Sequence, residues 1–160
     1  MYEAKFLMGA IAGAMAENGQ LAYIADYPIF GTIANINAFA LGAKMVNPRA
    51  QIYLEWSTLK DVDLGIAMDN VIKKGVTVVS GRDMVIPEDA SRYFGLYHIE
   101  KEGPRNLAMP LWHWGKFYEQ LIRTIMDGTW KYDDNKDETK AINYCCLLYT
   151  SDAADDRISV

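Results

Sequence analysis

Apolar residues recur along this chain with two alternating periods, one typical of amphipathic helices and one typical of strands. Short apolar runs lie between helix-length stretches that end in glycine, proline or asparagine. The pattern predicts, in order, a helix over Tyr2–Glu17, a strand over Leu21–Ala25, a helix over Ile33–Val46, a strand over Gln51–Trp56, a helix over Asp61–Lys74, strands over Val76–Ser80 and Tyr93–Tyr97, and a helix over Lys116–Asp127. This alternation is typical of an α/β fold with a parallel sheet covered on both faces.

The sequence also predicts which faces of the first and last helices pack inward. The first is expected to bury Phe6, Ile11 and Met15 on one apolar face. Gly9 and Gly13 lie one turn apart and have no side chain, so they permit the close approach of another element. The last helix is expected to direct inward Phe117, Leu121, Ile122 and Ile125.

Polar and aromatic residues follow several of the predicted strands. In open parallel sheets, ligands bind outside the carboxyl ends of the strands. The segments expected there are Asp26–Phe30, Trp56–Thr58, Gly81–Asp83 and His98, with the Trp112–Trp114 segment close to them. The convergence of these segments predicts a small-molecule site.

The segment Leu107–Gly115 holds two tryptophans and a histidine immediately before the last predicted helix. Pro110 favours an extended backbone here, because it lacks an amide donor and restricts the residue before it. Large flat side chains at such a junction suit a planar ligand. From the residues alone a place in the hydrophobic core is favoured, because large aromatic residues are highly buried on average.

Composition and motifs exclude several classes of function. The chain has 160 residues, 51% of them hydrophobic, and a formal net charge of −5. It therefore has the material for one domain with a core and lacks the basic footprint of a nucleic-acid binder. Glycine-rich phosphate loops and the ligand spacing of metal sites are absent from the sequence, so neither cofactor nor metal is expected. Asp83 and His98 offer an acid–base pair, but hydrogen bonding to a ligand is favoured because nothing supplies a nucleophile.

The end of the chain differs from the rest. Cys145 and Cys146, the two cysteines, open a stretch that fits no hydrophobic period of the preceding sequence. Residues 146–155 resemble the translation of a transposase-type sequencing adaptor. We therefore expect the natural sequence to stop at Tyr144 and residues 145–160 to be a non-native tail, which is left out of the fold prediction.

Five strings within residues 1–144 carry a family resemblance: Leu21–Phe30, Ile36–Ala43, Val46–Pro48, Met109–Gly115 and Asp127–Lys131. In this order and spacing they resemble the basic membrane protein family of solute-binding lipoproteins of ABC importers, which includes purine-nucleoside-binding members. The resemblance extends over essentially all of residues 1–144.

This resemblance implies a type I periplasmic-binding-protein fold, in which two Rossmann-like lobes close on a ligand. Family members are considerably longer, so residues 1–144 are expected to form the C-terminal lobe, with the first lobe and a lipidated leader upstream. The implied function is that of a non-catalytic, extracytoplasmic solute-binding component, joined to the membrane only by its lipid. Its implied partners are ABC permease subunits and a nucleoside or purine-like ligand. A Rossmann-like enzyme acting on a nucleoside and a ligand-sensing receptor of the same fold are the alternatives.

The resemblance also implies roles for individual residues. Tyr27 and Trp112 are expected to form stacking surfaces or apolar walls, and Arg82 and Asp83 to read polar groups. Trp112 is expected to border the cleft, whereas Trp114 is expected to pack beneath it. The complete set of candidate ligand-binding residues is Tyr27, Pro28, Trp56, Arg82, Asp83, His98 and Trp112.

Overall fold

The computed structural model describes residues 2–59, 64–83, 94–112, 114–128 and 146–150. Within them the elements are α1 (Tyr2–Met15), β1 (Gln20–Ala25), α2 (Phe30–Val46), β2 (Gln51–Trp56), α3 (Leu64–Lys73), β3 (Val78–Ser80), β4 (Leu96–Glu100), β5 (Gly103–Trp112), α4 (Trp114–Met126) and β6 (Cys146–Thr150).

The strands form one sheet in the order β2-β1-β3-β4-β5-β6. β1 pairs in parallel with β2 and β3, so the predicted α/β lobe with a parallel sheet is confirmed. The parallel part ends at β3, because β4 runs antiparallel to β3 and β5 antiparallel to β4. β4 and β5 are joined by a tight turn at Lys101 and Glu102, which can connect antiparallel strands but not parallel ones.

β1 lies at the centre of the fold and is buried on both faces. Leu21 and Tyr23 pack with α1 and α2 in one core cluster. Ala22 and Ile24 point the other way and pack with α3 in a second cluster. Since successive side chains of a strand point to opposite faces, the continuous apolar run of β1 supplies both cores at once.

α1 and α2 cross at very short distance through glycines on both helices. A Cβ added at Gly9 would overlap the backbone carbonyl of Phe39, and one at Gly42 would overlap the backbone carbonyl of Phe6. A Cβ at Gly13 would come within 2.7 Å of another α2 carbonyl oxygen. The predicted close approach at Gly9 and Gly13 is therefore confirmed.

The predicted apolar face of α1 is wrong. Phe6 and Ile11 are only partly buried and Met15 is exposed. The face that α1 turns inward carries instead Ala4, Lys5, Met8, Gly9, Ala12 and Gly13. On this face Gly9 and Gly13 meet the backbone of α2 directly, and the short distance leaves no room for a larger residue at these two positions.

The last helix also departs from expectation. α4 begins at Trp114, before the predicted start at Lys116, and none of its described side chains is buried. Ile122 and Ile125, predicted to point inward, are each 55% exposed. Phe117 and Leu121, which share the prediction, are partly buried, so the described residues cover the apolar stripe of α4 only in part.

β6 forms the outer strand of the sheet. Its residues Cys146–Thr150 pair antiparallel with β5, with Trp112 opposite Cys146 and Ala108 opposite Thr150. The prediction that residues 145–160 have a non-native origin concerns the coding sequence and stays a prediction.

Candidate ligand-binding site

The carboxyl ends of β1, β2 and β3 lie side by side and define one edge of the sheet, the carboxyl edge. Ala25 at the end of β1 pairs with Trp56 at the end of β2, and Ser80 at the end of β3 pairs with Tyr23. Of the predicted site residues, the structure places five at this edge: Tyr27, Pro28, Trp56, Arg82 and Asp83.

At the carboxyl edge, Asp83 belongs to a cluster of buried polar side chains. The Lys5 ammonium nitrogen lies 2.8 Å from Oδ1 of Asp83. The Tyr23 hydroxyl donates a hydrogen bond of 2.6 Å to the same oxygen. Lys5 also donates to the hydroxyl of Ser80 at 3.3 Å. The Lys5 side chain is completely buried and that of Asp83 is 7% exposed, so both charges have left bulk water.

Sequence reasoning missed Lys5, because a lysine in a surface helix is almost always solvated. A local signal was nevertheless present. Lys5, Gly9 and Gly13 recur every fourth residue and therefore share one face of α1. A lysine in register with glycines that mark a close helix contact is expected to be buried with them and to need a charged partner.

Tyr23 is held in its protonated form. Burial is the largest influence that raises the pKa of Tyr23 well above its usual range. The negative charge of Asp83, the hydrogen bond to Asp83 and the charge of Asp26 act in the same direction. Tyr23 is therefore a permanent hydrogen-bond donor to Asp83.

The second oxygen of Asp83 has no such partner. Oδ2 is buried and accepts no hydrogen bond from any described residue. An unsatisfied buried acceptor is costly, and it is more costly for a charged group than for a neutral one. An ionised carboxylate accepts hydrogen bonds and donates none, so the complementary group is an N–H or O–H donor.

A second cluster of polar side chains connects the loops that follow the three parallel strands. The Ser57 hydroxyl, after β2, donates to Oδ1 of Asp26 at 3.2 Å, and Asp26 follows β1. The guanidinium of Arg82, after β3, lies 3.8 Å from the same Asp26 oxygen. Thr58 donates its hydroxyl to the backbone carbonyl of Asp26. Arg82 and Ser57 thus both contact Asp26, which links the loops after β2 and β3 to the loop after β1.

The aromatic candidates at the edge differ in exposure. Tyr27 is 53% exposed and directly follows the buried Asp26. Pro28 is exposed beside it. Trp56 is partly buried and packs against the core cluster on the α1 side of the sheet. Tyr27 therefore offers an open ring surface, whereas part of Trp56 supports the core.

His98 does not lie at the carboxyl edge, and the expectation that it would is wrong. It pairs with Val78, at the amino end of β3, because β4 runs antiparallel to β3. Its Nδ1 lies 3.2 Å from a carboxylate oxygen of Glu100. Asp83 follows the opposite end of β3, so the proposed acid–base pair of Asp83 and His98 is not formed.

β5 runs in the same direction as β1 and β3, since two antiparallel steps restore the strand direction. Its last residue, Trp112, therefore lies toward the carboxyl edge, as predicted; its side chain and His113 lie outside the described parts. Trp114 is 54% exposed, so the expectation that it packs beneath the cleft is wrong. Its ring instead contacts Phe117 edge-on, with centroids 5.9 Å apart, and stacks on Tyr118 at 6.2 Å.

Two concavities of the described residues lie on helix surfaces, and neither is lined by a predicted site residue. One, of about 530 Å³, follows the uncovered side of α4. The other, of about 490 Å³, is an apolar groove between α1 and α2. The described residues contain no helix long and apolar enough to cross a bilayer, and no group of three metal-ligating side chains.

A buried acceptor and an open aromatic surface at the carboxyl edge of parallel strands are typical of a ligand-binding α/β lobe. Residues 1–87 match the Bmp family, described as "ABC transporter substrate-binding protein PnrA-like". The chain belongs to this family, as its sequence strings predicted. The family comprises substrate-binding proteins rather than enzymes.

Two curated relatives agree with this assignment. Over 143 residues, the chain is 28% identical to "Putative ABC transporter glucose-binding protein TsgA13" of Haloferax volcanii, which covers 83% of this chain and 37% of the relative. Over 143 residues it is 27% identical to "Purine-binding protein BAB2_0673" of Brucella abortus, covering 81% of this chain and 40% of the relative. The chain thus spans about two fifths of the length of the curated relatives it matches.

Proposed function

We propose that the complete protein carrying this chain is the solute-binding component of an ABC importer and binds a purine base or nucleoside. The observation that carries this proposal is Oδ2 of Asp83, a buried acceptor without a partner among the described residues, placed where α/β lobes bind ligands. A ligand that supplies an N–H or O–H donor to this oxygen satisfies it.

Aromatic residues at the carboxyl edge favour a purine over a simple sugar. Purine derivatives combine hydrogen-bond donors with a flat ring that stacks on Tyr27 or Trp112. The Brucella relative, named as purine-binding, supports this class. Glucose supplies hydroxyl donors but no aromatic ring, so the relative named as glucose-binding is the main competing precedent.

In this proposal residues 1–144 form the C-terminal lobe, and an upstream lobe supplies the other wall of the cleft. The ligand lies between the lobes, and closure about a hinge signals the loaded state to the permease. A lipid anchor on the upstream part holds the protein at the outer face of the membrane.

Isothermal titration of the complete protein with adenine, guanine, adenosine, guanosine and D-glucose tests the ligand class. We expect a dissociation constant in the micromolar range or below for a purine derivative, about −8 kcal/mol, and no heat with glucose. Asp83→Asn is expected to weaken purine binding at least about tenfold, because one charge-assisted hydrogen bond is lost. Asp69→Asn, at an exposed position of α3, is the matched control and is expected to leave binding unchanged.

Three results would count against the proposal. Binding of glucose without purines would assign the site to sugars. Full affinity of Asp83→Asn would remove Asp83 from the site. Equally tight binding by residues 1–144 alone would contradict the two-lobe cleft, since half of the contacts would then be dispensable.

A further inference from the structure

We propose that Lys5 is a positioning residue for ligand recognition: it holds Asp83 through one carboxylate oxygen and thereby aims the other at the ligand. This inference rests on the proposed function. It assigns a role in recognition to α1, a helix that contributes none of the residues predicted for the site.

The geometry of the carboxylate carries the argument. Lys5 and Tyr23 both approach Oδ1 of Asp83, at 2.8 and 2.6 Å. Neither donates to Oδ2, which is buried and unpartnered among the described residues. Rotating the carboxylate would break two short charge-assisted hydrogen bonds at once, so its orientation is set before a ligand arrives.

Lys5 is itself held rigidly. Its side chain is fully buried, and its nitrogen also donates to Ser80 and lies 5.1 Å from the centre of the Tyr23 ring. One turn further along α1, Gly9 is in contact with the backbone of α2. The position of Asp83 is therefore coupled to the packing of α1 and α2 against the sheet.

A gain in folding stability does not by itself explain why Lys5 and Asp83 are buried. The cost of taking two charges out of water offsets much of their attraction, and apolar residues of similar size are often equally stabilising in such positions. Here the pair also leaves the second carboxylate oxygen without a partner among the described residues, which lowers its net contribution to stability further. A fixed acceptor for a ligand accounts for both features.

A double-mutant cycle in the complete protein tests this role, with adenosine and guanosine as titrants. The variants are Lys5→Met, Asp83→Asn and the two combined. We expect Lys5→Met to weaken binding about tenfold or more, and the combined variant to bind within about twofold of Asp83→Asn, because Lys5 acts through Asp83. Lys5→Arg, which keeps the charge, is expected to recover most of the affinity.

Lys74→Met is the matched control, since Lys74 forms an exposed pair with Glu55 at 2.7 Å, and its binding is expected to be unchanged. If Lys5→Met does not fold, Lys5→Gln, which retains a donor, replaces it in the cycle. Wild-type affinity of the Lys5 variant, or losses that multiply in the combined variant, would overturn the inference. A wild-type protein that binds no titrant would overturn the proposed function and the inference together.

Discussion

The side chains of Lys5, Tyr23 and Asp83 meet at one oxygen atom, Oδ1 of Asp83. They come from separate parts of the fold, and each contributes a different property. Lys5 from α1 supplies a charge, Tyr23 from β1 a neutral donor, and Asp83 after β3 the acceptor. All three are buried or nearly so. Interactions among charges are far stronger away from water, so small changes in this cluster have large effects.

Because of Tyr23, the free energy of unfolding at alkaline pH depends on this cluster. The pKa of Tyr23 is raised in the folded state, whereas in the unfolded chain it titrates near 10.0. Its contribution to stability is therefore fully present below pH 10 and is lost as the pH rises above that value. Tyr23→Phe removes this contribution.

We predict that Tyr23→Phe lowers the free energy of unfolding by about 1.5–3 kcal/mol at pH 8, the range for a hydrogen bond to a charged group. The difference from wild type is expected to shrink by pH 11. Urea unfolding of both proteins at the two pH values measures it. Lys5, Asp83 and Asp26 are the charged groups near Tyr23, and both proteins contain them, so a constant difference would contradict the prediction.

At the scale of elements, the crossing of α1 and α2 determines where Lys5 can lie. Glycines on both helices let the backbones touch, with Gly9 against Phe39 and Gly42 against Phe6. The inward face of α1 consequently consists mainly of small residues. A helix packed through small residues tolerates little change of volume on that face.

We predict that Gly9→Ala lowers the free energy of unfolding by about 1–3 kcal/mol, because the added methyl group meets backbone that cannot move aside. Gly31→Ala is the matched control, since Gly31 is exposed in α2 and nothing lies within 4 Å of its added Cβ. That variant is expected to be as stable as wild type or up to about 1 kcal/mol more stable. Denaturant unfolding compares them, and equal losses would contradict the close contact.

At the scale of the molecule, the described chain has one well-packed side and one uncovered helix. The two core clusters surround β1, whereas α4 buries none of its described side chains. Five of its aromatic and aliphatic residues are more than half exposed: Trp114, Tyr118, Ile122, Ile125 and Met126. The fold of the sheet therefore does not depend on the apolar side of α4.

We predict that the chain by itself binds the dye ANS through α4. Replacing Ile122 and Ile125 together by glutamate is expected to reduce dye fluorescence strongly while changing the free energy of unfolding by about 0.5 kcal/mol or less, since exposed positions contribute little. Gln120→Glu, which adds charge at a polar position of the same helix, is the control. Equal fluorescence after both substitutions would show that the dye binds elsewhere.

Strand and helix positions could be predicted from sequence because hydrophobic periodicity is a local property. β2 begins and ends where its alternating residues predicted, at Gln51 and Trp56. The placement of Tyr27 and Asp83 followed from the rule that parallel strands bring their carboxyl ends to one edge. His98 was misplaced because that rule fails once a strand reverses direction, and strand direction depends on pairing between distant segments.

The sequence by itself determined the class of the lobe, its family and the edge at which a ligand is expected, since each depends on local patterns and ordered strings of residues. The tertiary structure alone decided that Lys5 is buried, that Tyr23 and Lys5 share one oxygen of Asp83, and that Oδ2 remains unpartnered. The reason is physical: burial and partnership of a charge depend on which helix crosses which and how closely. In this protein that distance is set by glycines, whose effect appears only when the partner helix is in place.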